Sequence, residues 1–270
     1  MTLFDCHNDL LTQICDYDSY LNRARKQGLN SVILAIFLSE KRLNIKDIYC
    51  LVNKTYNIKD LYFAIEDISI INYNKLDKLK KIKPLYCSLT WNNSNKLAGG
   101  ANSNGDISNL GYKYIDRIEE FSIIDTAHLN KKSFYSLAKY SKKPLLNSHT
   151  NLVDIYNHKR NLTNKQVKTI IKSNGLICLT GVKEFLGKNS TLDTYIESIY
   201  YFYKKFGANN VGLSTDFIGS SRFPLVYNNY SDFIIIYNRL KEKGIAEKDL
   251  EKIFYLNVMK FFNITKDNNR

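Results

Sequence analysis

Apolar runs and helical spacings alternate along this chain from end to end. Residues 2–6 read as a short strand. Residues 20–27 have helical spacing, and Gly28 behind them stops the helix, as a glycine just past a C-terminal cap does. Residues 31–38 (SVILAIFL) form a continuous apolar run rich in β-branched side chains, the mark of a strand buried on both faces. A helix over 46–54 and a third strand over 61–65, ending at Glu66, come next. The lysine-rich stretch 75–83 predicts a helix, and Pro84 opens a fourth strand over 85–90. A polar, glycine-bearing loop over 92–108 is too long to be a mere connector, and such loops often lie over sites. A helix (110–120) and a fifth strand (121–127) ending at His128 follow, then a helix (131–140) and a sixth strand (145–148) ending at His149. A helix from Thr163, its N-cap, to 172 precedes the seventh strand, 175–180. A long helix (191–206), an eighth strand (210–214) ending near Asp216, and two helices (230–243 and 247–262) complete the chain.

Eight strands, each followed by helical pattern, predict an α/β protein with a parallel sheet, and the count of eight predicts a (β/α)8 TIM barrel. A doubly wound open sheet is the alternative. With no internal linker or low-complexity segment, one domain over 1–270 is expected. At 44% apolar residues the chain can bury a full-sized core.

Composition adds bounds. The net charge of +13 invites a nucleic-acid reading, but 31 of the 39 basic residues are lysines spread along the whole chain. No nucleic-acid function is expected. The apolar residues at the start (Leu3, Phe4, Leu10 and Leu11) are interrupted by Asp5, His7 and Asp9, and no window approaches the roughly 18 apolar residues of a membrane span. A soluble, cytoplasmic protein without a leader or membrane contact is therefore expected. The cysteines (Cys6, Cys15, Cys50, Cys87 and Cys178) are odd in number and never spaced as Cys-x-x-Cys, which reads as reduced thiols, three of them in strands.

The candidate chemistry lies at the strand ends. His7 and Asp9 stand two apart where the first strand should end, and residues i and i+2 of an extended chain share a face. An imidazole beside a carboxylate makes half of a divalent-metal site. Three of the four histidines (His7, His128, His149), with Glu66 and Asp216, all fall at predicted carboxyl ends of strands. In a parallel barrel those ends open on one rim, where active sites lie.

These residues resemble the membrane (renal) dipeptidases, of the bacterial branch, among the amidohydrolase-like metal hydrolases. Asp5-Cys6-His7-Asn8-Asp9 is similar to the family's opening HxD motif, and Ala64-Ile65-Glu66 to its strand-three glutamate. Asp125-Thr126-Ala127-His128 and Asn147-Ser148-His149 resemble its later histidine motifs. Lys159-Arg160-Asn161-Leu162-Thr163 resembles its Arg-Asn stretch, Gly212-Leu213-Ser214-Thr215-Asp216-Phe217 its strand-eight motif, and Leu256-Asn257-Val258 its closing helix. The resemblance implies a zinc-dependent dipeptidase with two zinc ions, or manganese or cobalt in their place, bridged by Glu66. His7 and Asp9 would complete one site, and His128 and His149 the other. It further implies a metal-bridging hydroxide as nucleophile, Asp216 as the proton shuttle, Arg160 as the clamp on a dipeptide's terminal carboxylate, and a homodimer. Asp125 is a candidate for orienting ligands or for a plain strand-face role, and His158 reads as a surface residue.

The chain also departs from the family. Trp91 follows Leu89-Thr90, where the animal enzymes carry a histidine that helps polarise the scissile carbonyl, so Trp91 is a candidate for substrate contact. Phe217-Ile218-Gly219 lacks the second aspartate of the usual Asp-Phe-Asp-Gly. The alternatives are a hydrolase of another small amide, ester or lactone, and a non-catalytic relative.

Overall fold

The computed structural model describes residues 1–13, 16–39, 42–55, 58–219 and 224–265, so Cys15 lies outside the described residues. Eight parallel strands close on themselves in sequence order: β1 (Leu3–Asn8), β2 (Leu29–Phe37), β3 (Leu61–Glu66), β4 (Tyr86–Ser88), β5 (Ile123–Asp125), β6 (Leu146–Thr150), β7 (Leu176–Leu179) and β8 (Val211–Leu213). Asp5 pairing with Leu213 joins the last strand to the first. This is the (β/α)8 barrel, and the open sheet is excluded.

Inside the barrel, Phe4, Cys6, Ile33, Tyr86, Leu146 and Cys178 pack with their neighbours into one core. A larger apolar layer fills the space between strands and helices. Val258, on the closing helix Asn257–Phe261, plugs the amino end of the barrel, where Asn257 Nδ2 donates to the carbonyls of Ala208 and Val211. The three cysteines in β1, β4 and β7 are buried free thiols, and Cys50 is exposed.

Two elements differ from the sequence pattern. The lysine-rich stretch forms only the turns Tyr73–Lys75 and Leu76–Leu79. A residue before proline is pushed out of the helical region, and Lys83 before Pro84 takes φ 48°. The final helix is continuous but carries a π-turn over Lys252–Leu256. Among the described residues, no helix is long and apolar enough to cross a membrane.

Candidate metal centre

The first strand runs two residues further than its apolar pattern suggests, and it does so through a bulge. Phe4 and Cys6 face the barrel interior, so strict alternation would send Asn8 inward and His7 outward. Between Asp5 and Asn8, however, β1 advances three residues while β2 advances two, from Val32 to Leu34. The extra residue re-aims His7 into the mouth. β6 repeats the device between Asn147 and Thr150, around His149. The ring centroids of His7 and His149 end 4.0 Å apart. Past β8, the Asp216 N–H donates to the His7 carbonyl (3.0 Å) and the Asp9 N–H to the Phe217 carbonyl (3.1 Å), which sets Asp216 beside the first strand's ligands. Asp5 staples the same seam by accepting from Thr215 N, Thr215 Oγ1 and Tyr230 OH.

The predicted site residues therefore converge. His7 Nε2 lies 3.5 Å from Asp9 Oδ2 and 3.9 Å from Asp216 Oδ1. His128 Nε2 lies 2.7 Å from Glu66 Oε1 and 2.8 Å from His149 Nε2. Ligand atoms of His7, Glu66 and His149 lie within 4.8 Å of one another, and so do those of His7, Asp9 and Asp216. The second grouping gives Asp216 a place in a candidate ion site as well as the shuttle position the resemblance implies. The polar groups border a cavity of about 280 Å³, whose wall includes Trp91, Asn92 and Arg160.

Two of the three imidazoles have tautomers that their neighbours dictate. Tyr86 OH gives its one proton to the Cys6 carbonyl (2.9 Å), so His7 Nδ1, 2.8 Å away, must be the donor to it. Ser148 Oγ gives its proton to Asp125 Oδ2 (2.5 Å), so His149 Nδ1 must donate to Ser148 (2.8 Å). In each ring the nitrogen facing the cluster is Nε2, as in metal-binding histidines whose other nitrogen is held by an acceptor. Asp125 thus reaches His149 through Ser148, while its other oxygen accepts from the Ala127 and Ser148 N–H groups and ties β5 to β6. Glu66 Oε1 is buried, with His128 Nε2 at 2.7 Å and His149 Nε2 at 4.0 Å. A buried carboxylate oxygen ringed by imidazole Nε2 atoms has the donor chemistry of a divalent-cation site.

A comparison with known proteins agrees. The profile of the family described as Membrane dipeptidase (Peptidase family M19) matches residues 57–270. The chain belongs to the membrane dipeptidase family. Among curated relatives, an uncharacterised dipeptidase of Schizosaccharomyces pombe is 24% identical over 67% of this chain and 47% of its own length. A dipeptidase of Aspergillus terreus is 25% identical over 58% of this chain and 39% of its own. The match thus spans about half the length of such relatives or less. In solved structures, the metallopeptidase dipeptidase AC superposes with a TM-score of 0.83 at 16% identity, over 97% of this chain and 98% of that one. A Rhodobacter sphaeroides metallopeptidase, crystallised with a phosphinate mimic of the dipeptide L-Ala-D-Ala, gives 0.80 at 15% identity, over 97% and 99%. These superpositions show a shared fold.

The electrostatics of this membrane dipeptidase relative's mouth follow from crowding. Burial alone would push His7 down, but Asp9, Glu66 and Asp216 outweigh it and hold His7 up at about 10. Burial, with help from Asp9 and Glu66, raises Asp216 to about 8. Glu66 falls to about 2: burial opposes ionisation, yet His128, His7 and Arg160 prevail. Burial and the Arg160 charge take His128 down to about 3. Burial lowers Arg160 to about 10, against the pull of Glu66 and Asp216. Its guanidinium lies 5.2 Å over the Phe185 ring and, among the described residues, forms no ion pair. Trp91 rests on Phe37 at 5.3 Å and near the His128 ring at 5.9 Å.

The sequence did not point to Tyr86, Asn92 or Ser148, because their roles act through a histidine's far nitrogen and have no spacing of their own. His158 is half-buried rather than a surface residue: it stacks on Phe185 at 5.1 Å, and burial lowers it to about 4. At Gly219, a Cβ would meet Asp9 Oδ2 and Asp216 Oδ1 at 2.6 Å each, so no larger residue fits. Next to it, Ile218 holds φ 68°, a left-handed conformation that a β-branched side chain resists.

Proposed function

We propose that the chain is a metal-dependent dipeptidase that takes two divalent ions, zinc by its donor set, with Glu66 as the carboxylate between them. The single observation that carries the reading is the buried Glu66 carboxylate among the Nε2 atoms of His128 and His149, with the His7–Asp9 pair alongside. One ion would be held by His7, Asp9 and Glu66, the other by Glu66, His128 and His149. Bound there, such ions supply Lewis acidity that lowers a water's pKa towards neutrality and polarises a carbonyl.

The chain's own groups supply the rest. Asp216, whose Oδ1 faces His7 Nε2 at 3.9 Å beside the cluster, would take a proton from the attacking water and return it to the leaving amine. Arg160 is buried and, among the described residues, forms no ion pair, and its planar fork suits a substrate's terminal carboxylate. Trp91 and Phe37 form an apolar wall of the cavity. A neutral lactone would leave Arg160 unpaired, which favours a substrate that ends in a carboxylate.

A panel of dipeptides and of small esters and lactones, assayed with and without a chelator, tests this reading. Dipeptide hydrolysis should vanish with chelation and return with zinc. Turnover that survives chelation, or that is confined to neutral lactones, would contradict it.

A further inference from the structure

The outer edge of His128 is crowded. Its Nδ1 lies 2.9 Å from Asn92 Oδ1 and 2.6 Å from Arg160 Nη1, and Arg160 Nη1 is itself 3.2 Å from the same Asn92 oxygen. A guanidinium only donates and an amide oxygen only accepts, so Nδ1 cannot satisfy both neighbours. Without a proton, Nδ1 accepts from Arg160, and the proton sits on Nε2, which faces Glu66 Oε1 at 2.7 Å and His149 Nε2 at 2.8 Å. With a proton, Nδ1 donates to Asn92, and Nε2 keeps a lone pair for a cation. Unlike His7 and His149, then, His128 has two tautomers available, and Asn92 Oδ1 is the acceptor that makes the second one possible.

We propose that Asn92 is a positioning residue that couples the candidate metal centre to the substrate clamp: it holds His128 as the Nδ1–H tautomer when Nε2 takes a metal, and it gives the guanidinium displaced from Nδ1 a second acceptor beside the cavity. The inference rests on the dipeptidase reading. Asn92 is itself fixed, since its carbonyl accepts from the Asn102 N–H at 2.7 Å, and the same loop reaches the His128 carbonyl through the Ala101 N–H at 2.8 Å. One strap therefore holds both the backbone and the ring of His128.

Two substitutions should separate along different axes. Asn92→Ala removes the acceptor and leaves Arg160 as the only partner of Nδ1, which stabilises the tautomer that cannot bind metal. Partners of this kind are worth about ten- to a hundredfold in metal affinity. Asn92→Asp keeps the acceptor and adds charge, so metal should be held at least as well. Arg160 should then be pinned in an ion pair, and KM for a dipeptide should rise by about tenfold or more while kcat falls less.

The experiment is zinc titration against a chromophoric chelator for the wild-type chain and both variants. It is run with long-range proton–nitrogen spectra of 15N-histidine protein, which has four histidines to resolve, and with dipeptide kinetics. The proposal predicts that zinc converts wild-type His128 from the Nε2–H to the Nδ1–H tautomer, that Asn92→Ala weakens zinc, and that Asn92→Asp raises KM with zinc retained. Zinc affinity unchanged in Asn92→Ala, or both variants weakened alike in zinc and KM as by a loosened loop, would overturn it while wild-type zinc binding and turnover leave the dipeptidase reading standing. A wild-type chain that binds no zinc would fell both. Should Asn92→Ala fail to fold, the isosteric Asn92→Asp decides alone: KM raised with zinc retained supports the proposal, and KM unchanged overturns it.

Discussion

Glu66→Gln is expected to strip metal and activity from the protein together. The substitution keeps the side chain's volume and removes the charge that both proposed ions share. Glu66 Oε1 faces His128 Nε2 at 2.7 Å and His149 Nε2 at 4.0 Å, and the carboxylate is held strongly ionised by its cationic surroundings. A neutral amide there offers one weak oxygen and turns N–H donors towards atoms that need to present lone pairs. Loss of a partner that merely orients a ligand costs about ten- to a hundredfold, so loss of the ligand shared by both ions should exceed that in kcat/KM. Zinc content and dipeptide turnover of the same preparation check it. Glu66→Gln protein that keeps two metals and normal turnover would rule out the bridging role.

Removing Arg160 and amidating the substrate's carboxylate should each lower kcat/KM by about ten- to a hundredfold, because a charge-assisted hydrogen bond is worth roughly 1.5–3 kcal/mol. Making both changes should cost little more than one, since they delete the same contact. Arg160→Lys should recover part of the loss, as an ammonium lacks the fork. Arg160 also packs over Phe185 and touches Asn92 and the His149 carbonyl, so part of the alanine variant's loss comes from packing alone. The amidated substrate separates the cases. If the two losses add, Arg160 does not meet the carboxylate.

The barrel was readable because each strand is a short apolar run between helical spacings, and a count of eight admits few topologies. The convergence of His7, Glu66, His128, His149 and Asp216 was readable too, since parallel strands carry their ends to one rim. The exact aim of the side chains was not. Apolar alternation would turn His7 away from the mouth, and only the bulge between Asp5 and Asn8 turns it back. Likewise, His128 sits beyond a short β5 with φ 67°, and Asp216 beyond β8 with φ 54°, left-handed conformations that His and Asp adopt more readily than most residues but that no local spacing announces. Tyr86 and Asn92 reach the rings of His7 and His128 from 79 and 36 residues away, brought together only by the closed sheet, and Ser148 beside His149 is itself held by Asp125, 23 residues earlier. The buried cavity wall around His158 was missed for the same reason: its burial depends on Phe185, which arrives from the segment after β7.

The central claim is a pair of ions around Glu66, and anomalous diffraction from crystals grown with zinc, collected on either side of the zinc edge, tests it most directly. Two peaks roughly 3.5–4 Å apart, one beside His7 and Asp9 and the other beside His128 and His149, with Glu66 between them, are the predicted result. A fully zinc-loaded crystal with no peak in this cluster, or with a single peak that Glu66 does not touch, would contradict the account.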